Sequence, residues 1–290
     1  MPKITLGTAN FYRHYGVTKN KFVSSEMIKV LPKILKKNNI NNFDTALEDY
    51  FPSNFLKSLK FKNLKVTTKI KLPNKNKQKF LKNLKKKIYK QIENLKIANF
   101  EAILIHDIKD LSSKYGEKLR QILLELKFEK KTKMIGASLY STNEINKTMK
   151  FIKLDIIQFP LNIFNTSFIS SKWKKYFKKN KIKIQIRSIF LQGLLLQKED
   201  IIKKLSLNKD LKKKLINYNS WLRSKGFSNI YININFLKKY FKIIDYLIIG
   251  SDNYSQFLQT LKYLKSKKNK KLVVRNFSTQ NNKIIDPRRW

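Results

Sequence analysis

Phe43-Asp44-Thr45-Ala46 is the stretch on which the fold turns, with Tyr50 standing six residues past the aspartate. It follows a helical run and reads as the end of a short strand with polar residues just beyond it. Two further segments end the same way. Leu64-Lys65-Val66-Thr67-Thr68 leads into Lys69, and Ala102-Ile103-Leu104-Ile105 leads into His106-Asp107. Three successive strands thus each deliver an ionisable residue at the carboxyl end. In a barrel of parallel strands those ends converge on one mouth, which would bring Asp44, Tyr50, Lys69 and His106 together.

Outward from these three strands, the chain keeps alternating. Ile4 to Ala9 reads as a first strand, Lys133 to Tyr140 as a fifth and Leu154 to Phe159 as a sixth. Ile182 to Phe190 reads as a seventh and Tyr246 to Ser251 as an eighth. The strands are short apolar runs, as expected of parallel strands covered on both faces. Between them lie amphipathic stretches at helical spacing. One is expected as a single helix from Lys75 to Leu95, with Leu81, Leu84, Ile88, Ile92 and Leu95 in one stripe. Trp173, Tyr176 and Phe177 mark another, either packed on the barrel or forming an interface patch. Eight strand–helix units in 290 residues suit an α/β fold of the (β/α)8 TIM-barrel class in one domain, 1–290. Residues 265–290 are expected to form a tail that packs on it. A doubly wound open sheet is the rival, but Gly7-Thr8-Ala9-Asn10 carries no G-x-G-x-x-G turn.

Composition narrows the function classes. There is no cysteine, so disulfides and thiolate metal sites are excluded, and no metal is expected. No apolar run is long enough to span a bilayer, and the stretch from Met1 lacks the apolar core of a signal peptide. The expectation is a soluble cytoplasmic protein. The formal net charge of +45 points to nucleic acid or an anionic surface if taken alone. The lysines, however, are spread along the whole chain on the solvent faces of helices, and arginine, the residue suited to planar phosphate recognition, is scarce. No specific nucleic-acid partner is expected.

The chemistry of the four strand-end residues is acid–base. A free tyrosine has a pKa of ~10. A neighbouring ammonium stabilises the phenolate and lowers that value. An aspartate would hold the lysine charged and fixed, and a neutral histidine could hydrogen-bond a carbonyl oxygen. Such a set can protonate an oxygen that becomes an alkoxide when hydride reaches its carbon.

These segments resemble the aldo-keto reductase superfamily over nearly the whole chain. Leu6-Gly7-Thr8-Ala9-Asn10-Phe11, with Tyr15-Gly16-Val17, is similar to the opening strand and loop of bacterial members. Phe43 to Ala46, Thr68-Lys69 and Leu104 to Asp107 resemble the segments bearing catalytic residues. Ile135 to Tyr140, Asp155 to Gln158 with Pro160-Leu161-Asn162, and Arg187 to Leu195 are similar to the family's fifth, sixth and seventh strands. Ile248-Ile249-Gly250-Ser251 with Gln256 resembles its cofactor-phosphate segment, and Asp286-Pro287-Arg288-Arg289-Trp290 the ending of some bacterial members.

The resemblance implies an NAD(P)-dependent oxidoreductase that reduces an aldehyde or ketone, or oxidises the alcohol, using NADP(H) or NAD(H). It implies Tyr50 as proton donor, Lys69 and Asp44 as its activating pair, and His106 as the carbonyl orienter. Ser138 and Gln158 would hold the nicotinamide carboxamide. Gly7, Thr8, Arg187, Ser188, Phe190, Gln192, Gly250, Ser251 and Gln256 would line the rest of the cofactor site. The partner would be a small carbonyl substrate, of sugar or polyol type by likeness to members of cell-surface sugar pathways. Three positions depart from the family pattern. Tyr50 falls one residue late, with Asp49 at the usual place. Arg187 stands where many members stack a tyrosine on the nicotinamide, and Thr260 stands where an adenine-side asparagine is common. The displaced tyrosine keeps a second reading open: a barrel that binds a dinucleotide or other ligand without efficient reduction. A third reading is binding of nucleic acid or an anionic surface through the lysines.

Overall fold

The computed structural model describes residues 1–11, 25–47, 59, 61, 63–250, 254–266 and 275–290. Eight parallel strands close into a barrel in sequence order. They are β1 (Lys3–Gly7), β2 (Asn42–Asp44), β3 (Lys65–Ile70), β4 (Phe100–Ile105), β5 (Thr132–Ser138), β6 (Ile156–Pro160), β7 (Lys183–Arg187) and β8 (Tyr246–Ile249). Closure comes from β1 pairing with both β2 and β8, with Thr5 opposite Asn42 on one side and Ile248 on the other. The expected (β/α)8 barrel is therefore the fold.

Two cores result, because strand side chains alternate between faces. The larger lies between the strands and the surrounding helices and contains residues such as Phe43, Ile103, Ile157 and Leu247. The smaller is Ala102, Leu104, Ile156 and Tyr246, with Met134 against it. Gly136 pairs with both Leu104 and Ile156. A Cβ there would stand 2.2 Å from the Ile156 carbonyl oxygen and 2.7 Å from Leu104 Cδ2. Only glycine lets these strands close over that small core.

The expectation of uniformly apolar strands needs correction. Thr5, Asn42, Asp44, Thr67, Lys69, Gln158 and Gln185 are all buried within strands. In register they fall on the same alternating face as Gly136 and Leu104. That face is largely polar, with hydrogen bonds linking several of these side chains.

The single helix expected from Lys75 to Leu95 is divided into Lys77–Lys82 and Leu84–Leu95. Asn83 lies between them with φ −100° and ψ 0°, and its side-chain Nδ2 donates to the Lys79 carbonyl at 2.9 Å. Asparagine competes in this way for backbone groups inside helices. The aromatic helix Ser171–Lys179 buries Trp173 and Phe177, and Phe177 stacks 6.2 Å from Phe159 of β6. It packs on the barrel and is not an exposed patch.

Four helices end in the same turn. Asn39, Lys96, Lys130 and Lys181 have φ between 51° and 57°. The next residue in each case donates its N–H to a carbonyl five positions back: Ile40 to Leu35, Ile97 to Ile92, Lys131 to Leu126 and Ile182 to Phe177. This left-handed cap usually takes glycine. With 7 glycines in 290 residues, the chain uses asparagine and lysine instead.

Candidate active site

At the carboxyl end of β2, Asp44 is held from two sides. The Thr8 backbone N–H and hydroxyl both donate to the Asp44 carbonyl, each at 3.1 Å, tying β2 to the end of β1. Lys69 Nζ donates to Asp44 Oδ2 at 2.5 Å and to the Thr45 carbonyl at 3.0 Å. Both side chains are about 10% exposed. Removing two charges from water costs several kcal/mol per ion, so an isolated buried pair adds little net stability. Here the carboxylate gains a second partner, because Gln158 Nε2 donates to Asp44 Oδ1 at 2.8 Å.

Gln158 extends the network across β5, β6 and β7. Its Nε2 also donates to Gln185 Oε1 at 3.0 Å, and its Oε1 accepts from the Ser138 hydroxyl at 3.1 Å. Arg187 Nε donates to Ser138 Oγ at 3.3 Å, and Nη2 donates to the Leu139 carbonyl at 3.2 Å. The Arg187 guanidinium lies 4.1 Å over the Tyr140 ring. Arg288, from the C-terminal segment, lies 3.9 Å over the same ring. Asp286 and Glu144 anchor Arg288 there. Burial pushes the Asp286 carboxyl up, but the Arg288 hydrogen bonds outweigh it and hold the group below the ordinary carboxylate range.

Past Arg187 the chain leaves the strand earlier than expected. Ser188, Leu191 and Gln192 have φ of 53°, 49° and 54°, followed by Gly193 at 91°. Non-glycine residues in the left-handed region cost of order 1–3 kcal/mol each and cluster at functional sites. Asn162, fully buried in the loop after β6, donates from Nδ2 to the Ser188 carbonyl at 3.0 Å and holds this turn against the barrel. Phe190 is buried below the turn and Gln192 is half-buried.

The expected residues therefore divide. Asp44, Lys69, Gln158, Ser138 and Arg187 form one hydrogen-bonded network, with Ser188 next in the chain. Gly7 ends β1 beside Ile248, opposite Asp44 in register. His106 is half-buried directly after β4, its backbone N–H donating to Ile70. Gly250 and Gln256 are exposed around β8 and the helix Tyr254–Lys265. Thr260 is buried, with its hydroxyl donating to the Gln256 carbonyl at 2.7 Å. Tyr50, Ser251 and the Tyr15-Gly16-Val17 loop lie outside the described residues.

Sequence reading missed three contributors. Gln185 sits two residues before Arg187, so period-two alternation places it on the same face. Nothing local marks the Tyr140–Arg288 contact, because it depends on the path of the C-terminal segment. The Thr45 carbonyl is a backbone group and leaves no side-chain signal. Among the described residues, no cluster of acidic or histidine side chains could hold a metal, and no helix is long and apolar enough to cross a membrane.

The model of the Aldo/keto reductase family matches residues 3–275. No curated protein sequence matches the chain. Among solved structures, the chain is similar to the aldo-keto reductase AKR11C1 from Bacillus halodurans in its holo form, with 15% identity and a TM-score of 0.66 over 93% of this chain and 88% of that one. The glycerol dehydrogenase AKR11B4 from Gluconobacter oxydans gives 17% identity and a TM-score of 0.59 over the same shares. MGS-M4, an aldo-keto reductase from a Medee basin deep-sea metagenome library, gives 18% and 0.58, again over 93% and 88%.

Proposed function

The chain belongs to the aldo/keto reductase family, which makes it an oxidoreductase acting on carbonyls, and we propose that it uses NADP(H), or NAD(H), to reduce an aldehyde or ketone to the alcohol or to run the reverse reaction. The observation that carries this reading is the buried Lys69–Asp44 pair joined through Gln158 to Ser138 and Arg187. An ion pair this costly to bury is accounted for by chemistry at the mouth rather than by stability.

The residues suit a nicotinamide dinucleotide. Ser138 offers a hydroxyl and Gln158 an amide, the donor and acceptor types that a carboxamide needs. The left-handed turn from Ser188 to Gly193, the exposed Gly250, and Gly7 and Thr8 would hold the rest of the molecule. When bound, such a cofactor supplies hydride. The chain supplies the proton. Lys69, fixed by Asp44 and the Thr45 carbonyl, presents a cation that favours the phenolate of Tyr50. Tyr50 then gives its proton to the substrate oxygen as charge builds on it, and His106 orients that oxygen. The substrate is a small carbonyl compound of sugar or polyol type, and the setting is the cytoplasm.

Titration of the purified protein with NADPH and NADH, followed by fluorescence quenching, tests the cofactor. Tyr50→Phe tests the mechanism: turnover should vanish while cofactor affinity holds. Full activity in that variant removes Tyr50 from the mechanism. The position of Tyr50, six residues past Asp44, also favours a second reading, a barrel that binds the dinucleotide without efficient reduction. Tight cofactor binding with no turnover across a panel of aldehydes, ketones and sugars would select it.

A further inference from the structure

Arg187 is a permanent cation, since guanidinium does not deprotonate in proteins, and it is only 9% exposed. Among the described residues no carboxylate pairs with it. Its partners are the Ser138 hydroxyl, the Leu139 carbonyl, the Ser188 hydroxyl and the Tyr140 ring, all uncharged. The described acids of this network are committed elsewhere: Asp44 to Lys69, and Glu144 and Asp286 to Arg288. Arg288, on the same ring, adds positive charge. Among the described residues, then, the end of β7 carries an uncancelled, largely desolvated cation, one hydrogen bond from Ser138.

We propose that Arg187 sets which redox form of the cofactor the protein prefers, disfavouring the oxidised nicotinamide and favouring the reduced one. This rests on the reading above, in which Ser138 and Gln158 hold the nicotinamide carboxamide. The oxidised ring carries a positive charge and the reduced ring carries none, while the remainder of the two molecules is identical. A fixed guanidinium beside the ring therefore repels one form and is indifferent to the other. At a protein surface, like charges a few ångströms apart differ in energy enough to shift affinity by about tenfold or more. The protein is thereby biased to load NAD(P)H and to release NAD(P)+, which favours reduction over oxidation of the alcohol.

The test is equilibrium binding, with no substrate present. Dissociation constants for NADPH and NADP+, and for NADH and NAD+, are measured by calorimetry for the wild type, Arg187→Gln and Arg187→Lys. The wild type should bind the reduced form at least about tenfold more tightly. Arg187→Gln, which keeps a donor but loses the charge, should shrink that ratio by about the same factor. Arg187→Lys, which keeps the charge, should retain it. A wild-type ratio near one overturns the proposal without any variant, so a poorly folding Arg187→Gln does not protect it. An unchanged ratio in Arg187→Gln also overturns it, as does a collapsed ratio in Arg187→Lys. Failure of the wild type to bind either form of either dinucleotide refutes the cofactor reading itself, and this proposal with it.

Discussion

Replacing Lys69 by methionine isolates what the ion pair does. The substitution keeps much of the volume and removes the ammonium that lies 2.5 Å from Asp44 Oδ2. At an effective dielectric of ~20, Coulomb attraction at that separation is about 6–7 kcal/mol. Part of this is already spent on desolvating the two ions, so the net worth of the pair is far smaller. The variant, however, leaves the Asp44 carboxylate buried with Gln158 as its remaining side-chain partner among the described residues. Removing one member of a buried pair costs about 3–5 kcal/mol. Urea denaturation of Lys69→Met should show a loss of that order. Asp44→Asn strands the ammonium and should also destabilise. The double variant leaves neither charge of the pair behind, and the amide oxygen that replaces the carboxylate can still accept from Gln158. The loss in the double variant should be smaller than the sum of the two single losses by roughly 2 kcal/mol or more. The reasoning fails if Lys69→Met costs less than about 1 kcal/mol, or if the two losses add to within about 0.5 kcal/mol.

Three other outcomes are expected. Gly136→Ala forces a methyl to within 2.2 Å of the Ile156 carbonyl oxygen. It should destabilise the barrel by about 3 kcal/mol or fail to yield soluble protein, as measured by thermal unfolding. Lys130→Gly removes a side chain from a left-handed cap with φ 57°, and denaturant unfolding should show a gain of about 0.5–1 kcal/mol, the net of relieved strain over added chain entropy. Burial raises the Asp110 carboxyl above its ordinary range, although the Leu72 N–H opposes this. An acid raised in the folded state favours folding when protonated, so its ionisation weakens the native state as pH rises through the folded pKa. Asp110→Asn should therefore be more stable than the wild type at pH 7, and that gain should disappear as pH falls below the ordinary aspartate range. A gain that persists in acid would refute the assignment.

Much of the fold was legible because β strands and helices leave different periods, and because Asp44, Lys69 and His106 fall at equivalent ends of consecutive strands. Strand ends were less legible. β7 stops at Arg187 because Ser188 turns into the left-handed region, a choice made by the clamp from Asn162 rather than by local propensity. The break at Asn83 was hidden because the apolar stripe runs on through it. The network around Gln158 was half legible: Ser138, Gln158 and Arg187 could be named, but their partners depend on how far each strand is staggered. Arg288 reaching Tyr140 was not legible, since 148 positions separate them and no pattern links the tail to β5.

The partners of Asp44 come from both halves of the chain. Lys69 lies 25 positions further along the chain and arrives with β3. Gln158 lies 114 positions away and comes from the opposite half of the sequence. A chain in which only β1 to β4 had paired would hold the ion pair with one of its supports missing and its carboxylate half solvated. The complete network needs the second half of the barrel against the first. The environment of Asp44 is thus a local reporter of the contact between the two halves of the barrel, and a probe placed there would register that contact.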